Sequence, residues 1–165
     1  MTIAFIGAGN MAGSLIRGLQ AGVYTADDIV AADPARSQLD ALATLGISTT
    51  VNNAEAVAQA EIVVLAIKPQ ITGDVVQALP ALRPDQLVIS IVAGIDTRSL
   101  GDWLPDRQPI VRCMPNTPAL LGAGITGLFA NPEVSSQQRE AASQILDSVG
   151  SSVWVDEEAL SLIHI

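Results

Sequence analysis

The sequence predicts an α/β fold in which helices cover both faces of a doubly wound, mostly parallel sheet. Short apolar runs alternate with stretches whose apolar residues recur every three or four positions, and this rhythm continues through most of the chain. The 165 residues suffice for one domain with a substantial core. A composition of 49% hydrophobic and 15% charged residues excludes a disordered or low-complexity chain.

The first predicted unit is a strand followed by a helix. The apolar run 3–6 stops at Gly7, as a strand buried on both faces does. A helical stripe begins after Asn10, and Gly22 is a suitable residue to end the helix. The apolar residues of that stripe are Ala12, Leu15, Ile16 and Leu19.

More units follow with the same alternation. Further strands are predicted at 29–32, 47–51, 62–67, 87–92 and 110–113. The intervening helices are predicted to end at Gly46, to run from Asn52 or Asn53 to Ala60, to start at Pro69 and continue through Leu79, and to run from Asp96 to Leu104. Strands joined in this way by helices form right-handed crossovers, which produce a parallel sheet.

After Cys113 the rhythm changes. Residues 114–118 predict a loop, 124–129 a strand, 136–149 a helix and 152–155 a last strand. We expect this portion of the chain to extend one edge of the sheet.

Charge and hydropathy exclude several classes of function. The 17 acidic and 8 basic residues give a formal net charge of −9, and the basic residues are scattered, so a nucleic-acid partner is not expected. The longest apolar run, 62–67, is far shorter than the roughly 20 residues that span a bilayer. The first residues lack the charged and apolar segments of a signal peptide, so the cytoplasm is the expected location.

Two residue types that often carry catalysis are scarce. Cys113 is the one cysteine, cannot form an intramolecular disulfide, and is predicted to be a small buried hydrophobic residue. His164, the one histidine, is the penultimate residue. We therefore expect neither a Ser-His-Asp or Cys-His catalytic group nor a histidine-based metal site in the domain. The functions that remain are chemistry on phosphates, hydride transfer and ligand binding.

Residues 7–12 read Gly-Ala-Gly-Asn-Met-Ala and lie between a predicted strand and a predicted helix. This pattern is typical of dinucleotide-binding loops in Rossmann folds. Gly7 allows the tight turn, Gly9 lets a pyrophosphate approach the backbone, and Ala12 allows close packing of helix on strand. The N–H groups at the start of the helix then face the phosphates. The alternative is that the glycines serve only a tight turn.

The second strand ends at Asp33, 24 residues after Gly9, where a residue that contacts the adenosine ribose is expected. A carboxylate there binds the ribose hydroxyls of NAD, whereas Arg36 is placed to bind the 2′-phosphate of NADP. The two residues therefore indicate different cofactors. The alternative is structural, with Asp33 beginning an Asp-Pro turn and Arg36 a solvated helix residue.

Two further segments follow strands at the carboxyl edge, where open α/β sheets bind their ligands. Lys68, the single lysine, follows the strand 62–67 and is predicted to contact the cofactor together with Pro69, although an ordinary exposed lysine is the alternative. Asn116 lies between two prolines that restrict its neighbours. Its amide is therefore placed either to orient a nicotinamide or substrate or to support a turn.

Five segments taken together resemble the pyrroline-5-carboxylate reductase family. They are 6–11 (Ile-Gly-Ala-Gly-Asn-Met), 66–69 (Ala-Ile-Lys-Pro), 90–94 (Ser-Ile-Val-Ala-Gly), 112–118 (Arg-Cys-Met-Pro-Asn-Thr-Pro) and 149–150 (Val-Gly). The Lys-Pro pair and the Met-Pro-Asn-Thr-Pro segment are specific to that family, whereas related families share the glycine-rich loop. The resemblance extends over residues 1 to about 159.

The resemblance implies reduction of a small cyclic imine, 1-pyrroline-5-carboxylate, to proline with NADPH or NADH, and a homo-oligomeric full-length protein. Family members often carry a small hydroxyl or polar residue where Asp33 stands, so the choice between NADP and NAD stays open. With Asp33 and Arg36, the predicted cofactor-binding residues are Ile6, Gly7, Ala8, Gly9, Asn10, Met11, Asn53, Ala66, Ile67, Lys68, Pro69, Ile91, Val92 and Ala93. Asn116 is the predicted substrate-proximal residue, and no residue is predicted as the catalytic acid or base.

Residues 1–159 form the predicted dinucleotide-binding domain, and residues 160–165 do not resemble the family. We expect those last residues to be a tail that arises from truncation or a misread gene end, because family members continue into a helical domain that holds the imine. Two alternatives stay open. One is a dinucleotide-binding module without turnover, and the other is a relative of β-hydroxyacid dehydrogenases, which would need a catalytic lysine after Lys68.

Overall fold

The computed structural model of the chain describes residues 1–162 and contains one eight-stranded sheet. The strands are β1 (Ile3–Ile6), β2 (Ile29–Ala32), β3 (Ser48–Thr50), β4 (Ile62–Leu65), β5 (Leu87–Ser90), β6 (Ile110–Met114), β7 (Gly124–Ala130) and β8 (Gly150–Trp154). The helices are α1 (Asn10–Ala21), α2 (Arg36–Ala43), α3 (Asn53–Ala58), α4 (Pro69–Ala78), α5 (Thr97–Trp103), α6 (Ser136–Asp147) and α7 (Glu157–Leu162). Short 3₁₀ turns form at Ala26–Asp28 and Thr117–Leu121.

The strand order is β3-β2-β1-β4-β5-β6-β7-β8. β1 pairs in parallel with β2 on one side and with β4 on the other, so that Ile3 lies opposite both Ile29 and Ile62. The chain thus moves outward in one direction from β1 to β3 and in the other direction from β4 onward, which is the Rossmann order. β7 runs antiparallel to β6 and parallel to β8, at the edge of the sheet. The predicted doubly wound, mostly parallel sheet is confirmed.

Two hydrophobic layers cover the sheet, one on each face. α1, α2 and α6 pack on the face that contains Phe5. α3, α4 and α5 pack on the opposite face, which contains Ile6. Successive residues of β1 therefore enter different layers, and the whole strand is buried. This explains why the central strands are continuous apolar runs and do not alternate between polar and apolar residues.

Element boundaries differ from the predictions mainly at the ends of strands. The predicted strands 62–67 and 87–92 end at Leu65 and Ser90, because the residues beyond them leave the sheet as loops. β8 begins at Gly150, earlier than the predicted start at residue 152. Gly150 has a φ of +145° and packs so closely on β7 that a Cβ would collide with the backbone there.

Helical periodicity does not predict α7, which includes part of the expected tail 160–165. Leu160 is buried, and Ser161 accepts a hydrogen bond from Arg112 at 3.2 Å. Residues 163–165 lie outside the described range, and a domain boundary at residue 159 stays a prediction. Among residues 1–162, no helix is both long enough and apolar enough to cross a bilayer.

Candidate dinucleotide site

The glycine-rich loop connects β1 with α1 at the carboxyl edge of the sheet. Gly7 has a φ of +103°, a conformation that favours glycine, and a Cβ on it would collide with the carbonyl oxygen of Ala66. The Gly7 amide donates to the carbonyl of Ala32 at 2.8 Å, and the Ala66 amide donates to the carbonyl of Ile6 at 2.8 Å. Glycine at position 7 is therefore required by the protein's own packing between β2 and β4.

Gly9 differs from Gly7 because nothing in the fold requires a glycine there. Its φ of −79° and ψ of −166° are extended values that any residue adopts. A Cβ built on Gly9 meets no atom of the described residues within 4 Å, so it would project into open space. A ligand group that approaches the backbone at this point, such as a pyrophosphate, would account for the glycine, and this role of Gly9 stays a prediction.

The start of α1 gives this open space its electrostatic character. Gly9 precedes the helix as its N-cap and supplies no side-chain cap to the first turn, which contains no acidic residue. The early N–H groups of the helix and its macrodipole therefore present a partial positive charge to the space beside Gly9. Of the other predicted loop residues, Asn10 is exposed and Met11 packs on the hydrophobic layer that contains Phe5. The geometry fits an anionic pyrophosphate.

The predicted ribose-binding residue lies directly beside this loop. Asp33 follows β2 and is half-buried. Its Oδ2 accepts a hydrogen bond from the Ala8 amide at 2.9 Å, and its Oδ1 accepts one from the Ala35 amide at 2.8 Å. Arg36 is the exposed first residue of α2. Asp33 thus contacts the glycine-rich loop. The bond from the Ala35 amide also shows that Asp33 begins an Asp-Pro turn, as the structural alternative predicts.

The segment 66–69 continues the same edge after β4. Ala66 lies under Gly7, and Pro69 is the first residue of α4, as predicted. Lys68 is the N-cap of α4 and is exposed, and its carbonyl accepts a hydrogen bond from the Thr72 hydroxyl at 2.9 Å. Ile67, which lies between Ala66 and Lys68, packs on the hydrophobic layer that contains Ile6. The contact of Lys68 with a cofactor stays a prediction.

Two other predicted contacts lie farther along the edge. Asn52 is the N-cap of α3 and accepts from the Ala54 amide at 3.0 Å, so Asn53 is the first residue of the helix and is free of the capping role. Beyond β5, the Ile91 amide donates to the carbonyl of Leu65 at 3.1 Å. Val92 is buried and Ala93 is exposed. A role of Asn53 or of residues 91–93 in cofactor binding stays a prediction.

Asn116 precedes the 3₁₀ turn Thr117–Leu121 and is exposed. Its Oδ1 accepts a hydrogen bond from the Ile125 amide at 3.0 Å, which ties the loop after β6 to the start of β7. This bond matches the turn-supporting alternative. A contact of the Asn116 amide nitrogen with substrate stays a prediction.

A buried arginine lies near this edge, and the sequence motifs do not single it out. Arg112 in β6 is 1% exposed, and its Nη1 lies 3.6 Å from Oε1 of Glu157 in α7. Glu157 also accepts from the amide and the hydroxyl of Thr97, at 2.6 and 2.9 Å. The pair ties α7 to the start of α5. One feature of the sequence distinguishes Arg112: it is a single charged residue inside an otherwise apolar strand.

Cys113, next to Arg112, supplies no reactive thiolate. Its side chain is fully buried, and burial raises the pKa of the thiol far above its ordinary value. The thiol therefore stays protonated at neutral pH. This agrees with the prediction that Cys113 is a small buried hydrophobic residue.

Comparison with known proteins places this site in a family. The family described as NADP oxidoreductase, coenzyme F420-dependent, matches residues 2–94. The chain belongs to this family. The match extends from the strand before the glycine-rich loop to Gly94, so it contains the predicted cofactor-binding residues from Ile6 to Ala93 and excludes Asn116.

Curated proteins similar to this chain include several pyrroline-5-carboxylate reductases. The enzyme of Pseudomonas aeruginosa is 54% identical over 159 residues, which are 95% of this chain and 58% of the relative. The enzyme of Haemophilus influenzae is 45% identical over 157 residues, or 94% of this chain and 58% of the relative. The resemblance drawn from the sequence motifs is confirmed. The chain spans a little under three fifths of these relatives' length.

Solved structures agree with the sequence relatives. A pyrroline-5-carboxylate reductase from Coxiella burnetii superposes with a TM-score of 0.91 at 37% identity, covering 96% of this chain and 60% of that one. The Plasmodium falciparum pyrroline carboxylate reductase, solved with NADP bound, superposes with a TM-score of 0.85 at 25% identity, covering 97% of this chain and 59% of that one. The Rossmann-type architecture of the family is thus common to this chain and to both enzymes.

Proposed function

We propose that the chain forms the dinucleotide-binding part of an NAD(P)H-dependent pyrroline-5-carboxylate reductase, an enzyme that reduces a small cyclic imine to proline. The assignment of a dinucleotide rests on the open space beside Gly9, before the start of α1. No side chain among the described residues fills this space, and a pyrophosphate suits it. The relatives at 54% and 45% identity support the reaction, because both bear that enzyme's name.

In this proposal the residues of the chain bind and orient the cofactor. The glycine-rich loop and the first turn of α1 would hold the pyrophosphate, and Asp33, whose carboxylate accepts from the Ala8 amide of that loop, would contact the adenosine ribose. Residues 66–69 and 91–93 form the wall along which the rest of the cofactor extends. A reduced nicotinamide held by these residues would supply the hydride for the carbon of the imine C=N bond, and the nitrogen would take up a proton. The contribution of this chain to the rate is therefore mainly the fixed position of the cofactor relative to the imine.

A second candidate is a dinucleotide-binding module without turnover. It is favoured by one observation: the family match ends at Gly94, so it includes the predicted cofactor-binding residues but not Asn116, the predicted substrate-proximal residue. Both candidates require the same cofactor site. They differ in whether the chain reduces the imine.

Two measurements on the purified chain test the proposal. Calorimetric titration with NADH and with NADPH is expected to detect binding of at least one of them. Absorbance of the reduced nicotinamide in the presence of 1-pyrroline-5-carboxylate then reports turnover. We expect no detectable imine reduction by the 165-residue chain and restored reduction when the remaining part of the Pseudomonas aeruginosa relative is fused after Ala159.

Each outcome separates the candidates. Failure to bind either dinucleotide would overturn the assignment of the site. Binding that never leads to reduction, in the chain or in the fusion, would favour the module without turnover. Rapid proline formation by the chain alone would place the substrate site within residues 1–159. A cytoplasmic location, a homo-oligomeric full-length protein and the lack of a nucleic-acid partner stay predictions.

A further inference from the structure

The carboxylate of Asp33 is fixed in position by two backbone amides from different segments. The Ala8 amide of the glycine-rich loop donates to Oδ2 at 2.9 Å, and the Ala35 amide of the following turn donates to Oδ1 at 2.8 Å. The backbone of Asp33 is itself anchored, since its amide donates to the carbonyl of Thr50 at 3.2 Å. A negative charge is therefore a fixed feature of the space between the glycine-rich loop and the end of β2.

The remaining bonding capacity of this carboxylate suits a ribose with free hydroxyls. An ionised carboxylate only accepts hydrogen bonds and offers about four lone-pair positions on its two oxygens. The Ala8 and Ala35 amides occupy one position on each oxygen of Asp33, so each oxygen can still accept one bond. The 2′- and 3′-hydroxyls of NADH are donors that match this arrangement. A 2′-phosphate is ionised and brings a second negative charge to the same place.

The turn after β2 itself offers a 2′-phosphate few donors, although the first amides of α2 have no side-chain cap. Pro34 has no N–H, and the Ala35 amide is already engaged by Asp33. Arg36 supplies a positive charge, but its side chain is exposed and its charge is screened by solvent and salt. The formal net charge of −9 adds a weak unfavourable background for a further anion. We expect the carboxylate of Asp33, fixed by two amides, to outweigh the exposed charge of Arg36 and the uncapped start of α2.

We propose that the chain binds NADH in preference to NADPH and that Asp33 is the residue that determines this preference. The inference rests on the proposed function, because it concerns the cofactor of the same site. The Plasmodium falciparum relative is solved with NADP bound and the matching family is described as an NADP oxidoreductase, so the inference predicts a departure of this chain from both descriptions. It also selects one of the two cofactors that the sequence leaves open at Asp33 and Arg36.

Calorimetric titration of the full chain and two variants with NADH and NADPH tests the inference. Asp33→Ser removes the fixed charge, and Asp40→Ser is the matched control, since Asp40 is an exposed residue on α2. We expect the unmodified chain to bind NADH at least about tenfold more tightly than NADPH, a difference that reflects one unfavourable charge contact. Asp33→Ser is expected to remove or reverse that ratio, and Asp40→Ser to preserve it.

The outcomes distinguish this inference from the proposed function. If the unmodified chain binds neither dinucleotide, the proposed function fails. If it binds NADPH as tightly as NADH, or if folded Asp33→Ser keeps the original ratio, the site stands and the inference is overturned. Should Asp33→Ser fail to fold, titrations of the unmodified chain at low and high salt decide instead. The preference for NADH must narrow as salt screens the repulsion, and a salt-independent ratio contradicts the inference.

Discussion

The carboxyl edge of the sheet differs between its two halves. In the first half, the loop after β1 leaves open space at Gly9, and Lys68, the N-cap of α4, is exposed. In the second half, the protein fills the edge with its own contacts. Asn116 supports the backbone of Ile125, and Arg112 is buried against α7.

This difference shows how to separate residues that serve a ligand from residues that serve the fold. Gly7 is explained by its positive φ and by the nearby carbonyl of Ala66, so its presence carries no information about a ligand. Gly9 has no such explanation within the described residues. Asn116 resembles a site residue in the sequence, yet its side-chain oxygen is engaged by the fold. We therefore expect ligand binding to depend on residues that the fold does not engage, such as Gly9, and stability to depend on residues that it does engage, such as Gly7 in the first half and Arg112 in the second.

The largest effect on this comparison is expected from Gly9→Val. The new side chain would occupy the space where a pyrophosphate approaches the backbone, so binding of NADH and NADPH should be lost. The midpoint of thermal unfolding should change little, because the backbone at position 9 is already extended. Calorimetric titration and thermal unfolding of the same preparation check both parts.

Gly7→Val is the matched control for that variant. It should unfold or strongly destabilise the protein, since its φ of +103° is unfavourable for valine and its Cβ would meet the Ala66 carbonyl. If Gly9→Val bound both dinucleotides with undiminished affinity, the assignment of the phosphate site to this loop would be wrong. Equal thermal stability of the two variants would contradict the comparison between the two glycines.

The second largest effect is expected from Glu157→Ala, and on stability alone. The substitution leaves Arg112 buried without its charged partner and removes the acceptor for both donors of Thr97. We expect the free energy of unfolding to fall by about 2–4 kcal/mol, because losing one partner of a buried pair strands the other charge. Urea unfolding measures the loss, and cofactor affinity should stay the same.

Glu158→Ala is the control for this variant, since Glu158 is the exposed neighbour in α7. Its effect on the free energy of unfolding should be small, within the range typical of surface substitutions. If Glu157→Ala were as stable as Glu158→Ala, the contact between α7 and Arg112 would contribute nothing. If it weakened cofactor binding, the two halves of the edge would be coupled.

The sequence was sufficient to predict the central strands because buried parallel strands are continuous apolar runs. The predicted starts at residues 3, 29 and 62 are the observed starts of β1, β2 and β4. It did not predict the direction of β7, since an apolar pattern is the same in a parallel and an antiparallel strand. It also did not predict α7, a short helix whose position depends on the distant partners Arg112 and Thr97.

The candidate site divides in the same way. The position and conformation of the glycine-rich loop were predictable because a short motif records local backbone geometry, while its role in cofactor binding stays a prediction. The bond between the Ala8 amide and the Asp33 carboxylate joins residues 25 positions apart, so it follows from the parallel pairing of β1 with β2. Only the folded structure showed that this carboxylate is fixed and that the oxygen of Asn116 is engaged.

A smaller effect is expected from Lys68→Ala, within the half that is proposed to bind the cofactor. Lys68 is exposed, and its amine is predicted to donate a charged hydrogen bond to the dinucleotide. Its loss should weaken binding by about 1–2 kcal/mol, the contribution of one such bond, with little change in thermal stability. Arg107→Ala is the control, because it removes a positive charge from the loop that enters β6 at the opposite edge. Equal affinities of the two variants would make Lys68 an ordinary surface residue.

The smallest effect is expected from Asp96→Ala, in the half that serves stability. Asp96 is the N-cap of α5 and accepts from the Ser99 amide at 2.8 Å. Hydrogen bonds from Ser99 lower the pKa of the Asp96 carboxyl, and the positive charges of Arg112 and Arg98 lower it further. The folded state therefore binds a proton at Asp96 more weakly than the unfolded state does.

The sign of the pH dependence follows from that lowered pKa. The carboxylate contributes its full stabilisation above the unfolded pKa of about 3.9 and loses it as the pH falls through the lower folded pKa. Asp96→Ala should reduce the free energy of unfolding by about 0.5–1 kcal/mol at neutral pH, as expected for an exposed N-cap. The difference from the unmodified chain should shrink toward zero in acid. Asp102→Ala, near the other end of α5, should show no such loss, because an acidic side chain there opposes the helix dipole. Urea unfolding of the three proteins across the acid range checks this, and a difference that persists or grows at the lowest pH would contradict the assignment of Asp96 as an ionised cap.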